Sequence, residues 1–481
     1  MTSLADKIPL ASMEELNVGG SPIPPHRTLN HNPPDNSSAY QQIPNDEVKG
    51  NAVCSSELPV LSTRDQDPRD QGPPDRLKLV YIILMLHGIG TLMPWNMFIT
   101  ANDYFVKFKL NVSEVDTRAK EYQDNFLSYL GLASQLPNVV FNGINLFAQI
   151  GGGNLTKRII TSLSVAIVVF ILTVILAMLD SSEWAGAFFY ITMVSVVILN
   201  MANGVFQNCA YGLAAKLPMK YSNAVVLGSN ISGTIASLIN ILSIAASPNL
   251  RTAAIYYFIT AIFVLLLTLD AYFTLPLNRF YRYFDKISMK CHEENKGEPK
   301  RPPYWQIFKK AWPQCFNVFF VFFVTLTNFP AVLANIQASS PDFFISSTYF
   351  APVCCFLCFN LFAMIGNIFP NWITWPGPRF LWIPVVIRAL TVPYFMFCNY
   401  KPHKRSLPVL ISNEWAYIVV SVLHGLTSGY YSSLAMMYAP RCVDREHAST
   451  AGMMGAFFLI LGIFTGVNFS FFISWLVEPS V

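Results

Sequence analysis

The feature that most constrains this chain is a series of eleven apolar segments, each long enough to cross a lipid bilayer as a helix. A membrane-crossing helix needs about 17–25 mostly apolar residues. The chain is 53% hydrophobic and only 12% charged, whereas soluble proteins are about 25% charged. We therefore predict an all-α polytopic membrane protein with about eleven transmembrane helices, at 79–101, 126–148, 159–179, 186–208, 223–246, 253–275, 313–335, 345–369, 380–399, 415–437 and 450–476.

Basic residues predict how these helices are oriented. With the N-terminus inside, the predicted cytoplasmic loops hold sixteen Lys and Arg residues and the predicted outer loops hold eight. Cytoplasmic loops normally carry this excess. The net charge of +4 is too small to indicate a nucleic-acid partner.

Composition divides the chain into four parts. Residues 1–76 are polar and rich in Pro, Ser, Asn and Asp, which predicts a disordered cytoplasmic tail. Six helices within 77–277 and five within 311–481 flank a basic cytoplasmic loop at 278–310. We expect two bundles around a central cavity, as in alternating-access carriers. A single receptor-like or channel bundle is the alternative.

Catalytic and metal-binding patterns are not found. None of the nine cysteines falls in a predicted outer loop, so no disulfide framework is predicted. Cys355 and Cys358 have metal-ligand spacing but lack a second ligand pair. No phosphate loop, nucleophile elbow or zinc-protease motif is present. We predict no enzyme activity and no cofactor.

Polar residues inside the apolar segments are candidates for solute binding. Trp95 and Asn96 lie in the first segment, Gln207 in the fourth, and Asn360 and Asn367 in the eighth. Hydrogen bonding between helices is the simpler role for each, contributing about 0.6 kcal/mol on average. Taken together, however, amides and an indole suit a neutral, hydroxylated, aromatic solute, since an amide both donates and accepts.

Two patterns concern processing and sorting. Asn111 is the sequon that the topology leaves open to glycosylation, in the first outer loop. Residues 40–43, from Tyr40 to Ile43, match a Tyr-x-x-bulky sorting signal that an adaptor could bind. We expect the plasma membrane as the location, with an endosomal or lysosomal membrane as the alternative.

Several stretches in a fixed order resemble the equilibrative nucleoside transporter family. The resemblance covers 78–476. Its stretches are 88–96 (Gly-Ile-Gly-Thr-Leu-Met-Pro-Trp-Asn), 207–213 with Leu217-Pro218, Phe329-Pro330-Ala331, Trp375-Pro376-Gly377-Pro378 with Arg388, 398–402, and Ser428-Gly429-Tyr430 with Thr450-Ala451-Gly452. The resemblance implies eleven helices, an inside N-terminus and a major-facilitator-like 6+5 arrangement.

The resemblance also implies roles for individual residues. It places solute contacts at Leu92, Trp95 and Gln207. It places gate or cavity roles at Ile99, Gln135, Asn138, Phe329, Pro330 and Ile463.

The eighth segment departs from the family pattern. The family usually has an Asp and an Arg that help hold the ribose, and here Ala363 and Asn367 occupy those positions. Both charges are missing together, so no buried charge is left unpaired. Asn360 and Asn367 remain candidate solute contacts, without the charged ribose clamp.

The resulting expectation is facilitative transport of nucleosides, with nucleobases as a further class, by alternating access. One alternative is a carrier of another small solute, either an organic cation or a nucleoside moved together with a proton through His87 or His424. Another is a family member that does not transport and acts as a sensor or scaffold.

Overall fold

A computed structural model describes residues 72–101, 104–110, 122, 126–148, 155–181, 184–246, 249–294, 302–340, 343–402 and 405–477. Asn111, the 40–43 signal and most of the predicted 1–76 tail lie outside these ranges. The described chain is nearly all helical. Eleven helices occupy the predicted apolar segments: α1 Leu79–Thr100, α2 Phe126–Ala148, α3 Leu155–Met178, α4 Ala185–Ala214, α5 Met219–Ala246, α6 Leu250–Thr274, α7 Tyr304–Asn328, α8 Ser347–Asn371, α9 Trp382–Met396, α10 Glu414–Tyr438 and α11 Ala448–Val477.

Length and apolarity support a membrane-spanning fold. Eight helices of the described chain are long and apolar enough to cross a membrane. The other three, α2, α9 and α10, are shorter or more polar but fill the remaining predicted segments. The all-helical membrane fold is confirmed, while the count of eleven spans stays a prediction.

The helices pack in a pattern that repeats after six. In the first half α1 packs on α5 and α2 on α4, and in the second half α7 packs on α11 and α8 on α10. Across the halves, α5 contacts α8 and α10, while α11 contacts α2 and α4. Packing therefore has an internal repeat, although the sequence shows none.

Close packing of α1 against α5 depends on glycine. A Cβ added to Gly228 would lie 1.9 Å from the carbonyl oxygen of Met85, and one added to Gly88 would lie 2.1 Å from that of Val225. These contacts are backbone to backbone, and only residues without a side chain allow such an approach.

Two cations cap the C-terminal end of α3, where backbone carbonyls have no partner within the helix. Lys109 donates to the carbonyls of Leu176, at 3.1 Å, and of Leu179. The Nε of Arg251 donates to the Ala177 carbonyl at 3.2 Å. Cations also suit the negative end of a helix dipole. Two basic residues assigned to predicted outer loops thus have a structural role there.

The segment predicted as a basic loop begins with an amphipathic helix, Arg279–Glu294. Phe280 and Phe284 are buried on its inner side. Phe280 packs 4.9 Å from Tyr221, between ring centroids, and the Arg445 guanidinium lies 5.3 Å from the Phe284 ring. This helix therefore packs against the first turn of α5 and the segment that leads into α11.

Candidate functional site

One face of α1 carries the first group of predicted solute contacts. Leu92, Trp95, Asn96 and Ile99 are spaced three or four residues apart, so they share a face, and all four are half-buried. Asn96 donates to the Ser232 hydroxyl of α5 at 3.0 Å, so its amide is engaged by a neighbouring helix. The Trp95 ring packs against the main apolar core, while its indole N–H has no hydrogen-bond partner among the described residues.

A second group lies where α2 meets α4. Gln135 and Asn138 of α2 are buried, as is Gln207 of α4. Asn138 lies beside Gly204, where an added Cβ would be 2.6 Å from the Asn138 carbonyl oxygen. Among the described residues, the side-chain oxygen of Asn138 has no hydrogen-bond partner. Within the described chain, the amides of Gln135 and Gln207 also make no hydrogen bond to protein.

A relay of buried amides continues from this group toward the ends of α2 and α4. Arg158 donates to the oxygen of Asn145 at 3.2 Å, and Asn145 donates to the oxygen of Asn208 at 2.7 Å. The Asn208 nitrogen then donates to the Asn142 oxygen and to the Met453 carbonyl of α11, both at 2.9 Å. Because a guanidinium can only donate, Arg158 fixes the orientation of every amide in the relay.

Sequence analysis did not identify this relay as a unit. Its signal was present in the spacing of Asn138, Asn142 and Asn145, which recur at four and three residues and therefore share a helical face. The partner on α11 is a backbone carbonyl, which leaves no trace in side-chain patterns.

The third group of predicted solute contacts lies on α8, and its two amides are hydrogen-bonded to other helices. Asn360 donates to the Ser237 hydroxyl of α5 at 3.0 Å. Asn367 is fully buried and accepts from the Ser433 hydroxyl of α10 at 2.8 Å. Its nitrogen faces the Val226 carbonyl of α5 at 3.4 Å. Both amides therefore join helices, and their contact with a solute stays a prediction.

Aromatic stacking marks the end of α7. The Phe329 ring stacks on Phe359 of α8 with centroids 4.1 Å apart and an interplanar angle of 20°. Pro330, which follows, and Ile463 of α11 are both half-buried. The predicted gate residue Phe329 thus directly follows α7, and Ile463 lies on α11, which packs on α7. The gate role itself stays a prediction.

Arg388 of α9 is a buried cation held by neutral groups. Its guanidinium donates to the hydroxyls of Thr427 and Thr325, both at 3.0 Å. It also donates to the carbonyls of Val321, at 3.1 Å, and His424, at 3.2 Å. Arg388 therefore ties α9 to α7 and α10 at one level.

The two intramembrane histidines considered for proton coupling bond to neutral groups. The Nδ1 atom of His87 lies 2.7 Å from the Ile83 carbonyl, and that of His424 lies 3.2 Å from the Thr391 hydroxyl. In each ring the Nε2 atom is buried and has no hydrogen-bond partner in the part of the chain that the structure describes. These contacts orient the rings without placing a carboxylate on either bonded nitrogen.

Comparisons with known proteins show which proteins this chain is similar to. A family model described as nucleoside transporter matches residues 193–302 and 292–475. Equilibrative nucleoside transporter 3 of Rattus norvegicus is 32% identical over 429 residues, covering 83% of this chain and 89% of the rat protein. Equilibrative nucleoside transporter 1 of Homo sapiens is 32% identical over 448 residues, covering 83% of this chain and 97% of the human protein. The solved structure of the human organic anion transporter MFSD10 (TETRAN) has a TM-score of 0.49 and 14% identity, covering 84% of this chain and 95% of that one.

Proposed function

This chain belongs to the equilibrative nucleoside transporter family, and we propose that it carries nucleosides across a membrane by facilitated transport. It is an integral membrane protein whose relatives are transporters, so we propose a carrier and not an enzyme. Nucleobases are a further class of solute for the same site.

The observation that carries this proposal is that some of the predicted solute contacts are hydrogen-bonded to other helices, while others make no such bond. The side-chain amides of Asn360 and Asn367 are hydrogen-bonded to neighbouring helices. By contrast, the indole of Trp95 and the amides of Gln135 and Gln207 make no hydrogen bond to the described protein. Polar atoms that no protein group engages can bond to a solute, and each neutral hydrogen bond contributes about 0.5–1.5 kcal/mol. Neutral donors and acceptors beside an aromatic ring suit a nucleoside base and its hydroxyls.

Alternating access between two bundles is the proposed mechanism. The repeat of helix packing after six helices supports a division into 77–277 and 311–481. Contacts across the halves run through α5 with α8 and α10, and through α11 with α2 and α4. A solute held between the halves would be exposed to one side when these contacts separate at that end.

Location and modification follow from the topology. We propose that the chain lies in the plasma membrane with Asn111 outside and glycosylated, and that an adaptor binds Tyr40 to Ile43. An Asn111→Gln variant should lose the glycan, as a mobility shift on glycosidase treatment would report. A native chain without a glycan would overturn the proposed placement of this loop.

The transport proposal is tested by uptake in cells that lack nucleoside transporters. Cells expressing the native chain should accumulate labelled uridine and adenosine to equilibrium, without concentration, and a protonophore should not change the rate. Gln207→Ala should lower uptake, whereas Asn468→Ala, at an exposed position on α11, should not.

Other outcomes identify the alternatives. No uptake at verified surface abundance would favour a sensor or scaffold. Uptake that collapses with the proton gradient would favour a proton-linked carrier, and uptake of an organic cation alone would favour a different solute.

A further inference from the structure

The connection between α8 and α9 exposes a run of large aromatic side chains. Trp372 is 75% exposed, Trp375 73% and Phe380 59%. A soluble loop rarely presents so much apolar surface, and such patches mark interaction sites with protein or membrane.

The backbone of this connection is satisfied by hydrogen bonds from within the protein. The Tyr430 hydroxyl bonds to the carbonyls of Ile373, at 3.2 Å, and Trp375. The Tyr438 hydroxyl lies 2.8 Å from the Thr374 carbonyl and 3.2 Å from that of Pro376. Each hydroxyl has one proton, which it shares between two carbonyls.

The remaining carbonyls of the run are also bonded. The Gly377 carbonyl accepts from the backbone N–H of Phe380 at 3.1 Å. The Pro378 carbonyl accepts from the Gln314 amide of α7 at 2.8 Å. Six consecutive carbonyls, from 373 to 378, therefore have donors, and two of these residues are prolines without an N–H to satisfy.

Hydrogen bonds to all of these carbonyls suit a backbone that is covered by lipid. Irregular backbone is tolerated at membrane depth only where its polar groups are satisfied by protein, because lipid supplies no hydrogen bonds. In water the same carbonyls could bond to solvent, and side-chain donors from two other helices would not be needed.

The aromatic surface continues the outer face of α9. Ile383, Ile387 and Leu390 are 40%, 58% and 69% exposed, at the spacing of one helical face. We expect this apolar face to contact lipid. Arg379 at the end of the connection is exposed and long enough to reach the head groups while its stem stays in apolar surroundings.

We propose that residues 372–380 are inserted into the head-group and acyl boundary of the bilayer, with Trp372, Trp375 and Phe380 in contact with lipid. Trp is enriched at this depth because its ring is both apolar and polar. Tyr430 and Tyr438 are positioning residues, since their hydroxyls hold the backbone in a form that lipid can cover. The proposal does not depend on which solute is carried.

The test measures water access at one aromatic position in the full chain. Trp375→Cys in membrane vesicles opened to both sides is treated with a charged, membrane-impermeant maleimide, and Lys290→Cys on the amphipathic helix is the exposed control. Maleimides react with the thiolate, which forms in water, so Trp375→Cys should react more slowly by on the order of tenfold. An uncharged maleimide that enters lipid should reduce this difference. The parent chain gives the background from native cysteines.

The tyrosines provide a second arm. Tyr438→Phe removes the donor for two carbonyls, so the charged reagent should reach Trp375→Cys faster in that background. Tyr431→Phe is the matched control, because the Tyr431 hydroxyl makes no hydrogen bond in the described chain. Equal labelling of Trp375→Cys and Lys290→Cys by the charged reagent would overturn the proposal.

Quenching of tryptophan fluorescence covers the case in which Trp375→Cys does not fold. Lipids brominated near the head group should quench the native chain more than the Trp372→Phe, Trp375→Phe double variant, which keeps the apolar surface. Equal quenching of the two would also overturn the proposal.

Discussion

Substitution of Gly429 by alanine tests the contact on which the arrangement of α8 depends. A Cβ at this position of α10 would lie 2.0 Å from the carbonyl oxygen of Ala363 and 2.9 Å from the side-chain oxygen of Asn367. Neither the α8 backbone nor the engaged amide can yield without moving the helix. Overpacking of this kind costs about 1–3 kcal/mol.

The control is Gly131→Ala in α2, where no atom of the described residues lies within 4 Å of the added Cβ. Alanine is a better helix former than glycine by up to about 1 kcal/mol, so this substitution should be neutral or stabilising. Both positions are helical and share this gain, so the two variants should differ in unfolding free energy by the overpacking cost alone, about 1–3 kcal/mol. The measurement is the melting temperature of each purified variant in the same detergent, followed by fluorescence. If the melting temperature of Gly429→Ala equals that of Gly131→Ala, then α8 and α10 are not in backbone contact.

Three further predictions concern buried polar groups. Gln207→Ala should weaken solute binding by about 0.5–1.5 kcal/mol, the contribution of a neutral hydrogen bond, and should therefore lower uridine uptake at equal surface abundance. Unchanged uptake would assign Gln207 to packing. Asn145→Leu removes the acceptor that faces Arg158 and should cost about 1–3 kcal/mol of stability, seen as a lower melting temperature; a melt equal to the native one would show that the relay does not stabilise the fold. Ala363→Asp with Asn367→Arg should reach the surface better than either single variant, because each single change buries one unpaired charge at about 3–5 kcal/mol; equal expression of all three would argue against pairing of the two positions.

The positions of the helices could be predicted because length and apolarity decide them. The predicted segment 126–148 has the same bounds as α2, Phe126–Ala148. The predicted helix ends were less accurate where polar residues are buried. Helix α4 continues to Ala214, beyond the predicted end at 208, because Asn208 is bonded inside the protein and does not mark the membrane surface.

Both ends of α7 also differ from the predicted segment, 313–335. It begins at Tyr304, nine residues before the predicted start at 313, because Lys309 and Lys310 lower the apolarity of its first turns without interrupting the helix. It ends at Asn328, since Phe329 precedes a proline and is extended, with φ −102° and ψ 133°. Residues before proline disfavour the helical conformation.

The use of each amide could not be predicted from the sequence, because hydrogen-bond partners lie far along the chain. Asn96 and Trp95 are neighbours, yet Asn96 bonds to Ser232, 136 positions away, while the Trp95 indole has no partner in the described chain. Sequence identifies which residue types are costly in a membrane. Packing decides which of them are left for a solute.

The neutral residue at 367 has a structural consequence that extends beyond the missing ribose clamp. Asn367 accepts from Ser433 at 2.8 Å and faces the Val226 carbonyl at 3.4 Å, while its own backbone carbonyl accepts from Asn223 at 2.8 Å. An amide suits this junction because it accepts and donates at once, whereas a guanidinium only donates. An arginine here would leave the Ser433 hydroxyl without its present acceptor and would require a carboxylate nearby, which Ala363 does not provide. In this chain the side-chain amide of Asn367 therefore joins α5, α8 and α10, and we propose that sugar recognition depends on groups that are not bonded to protein, with Gln207 and Trp95 as the candidates.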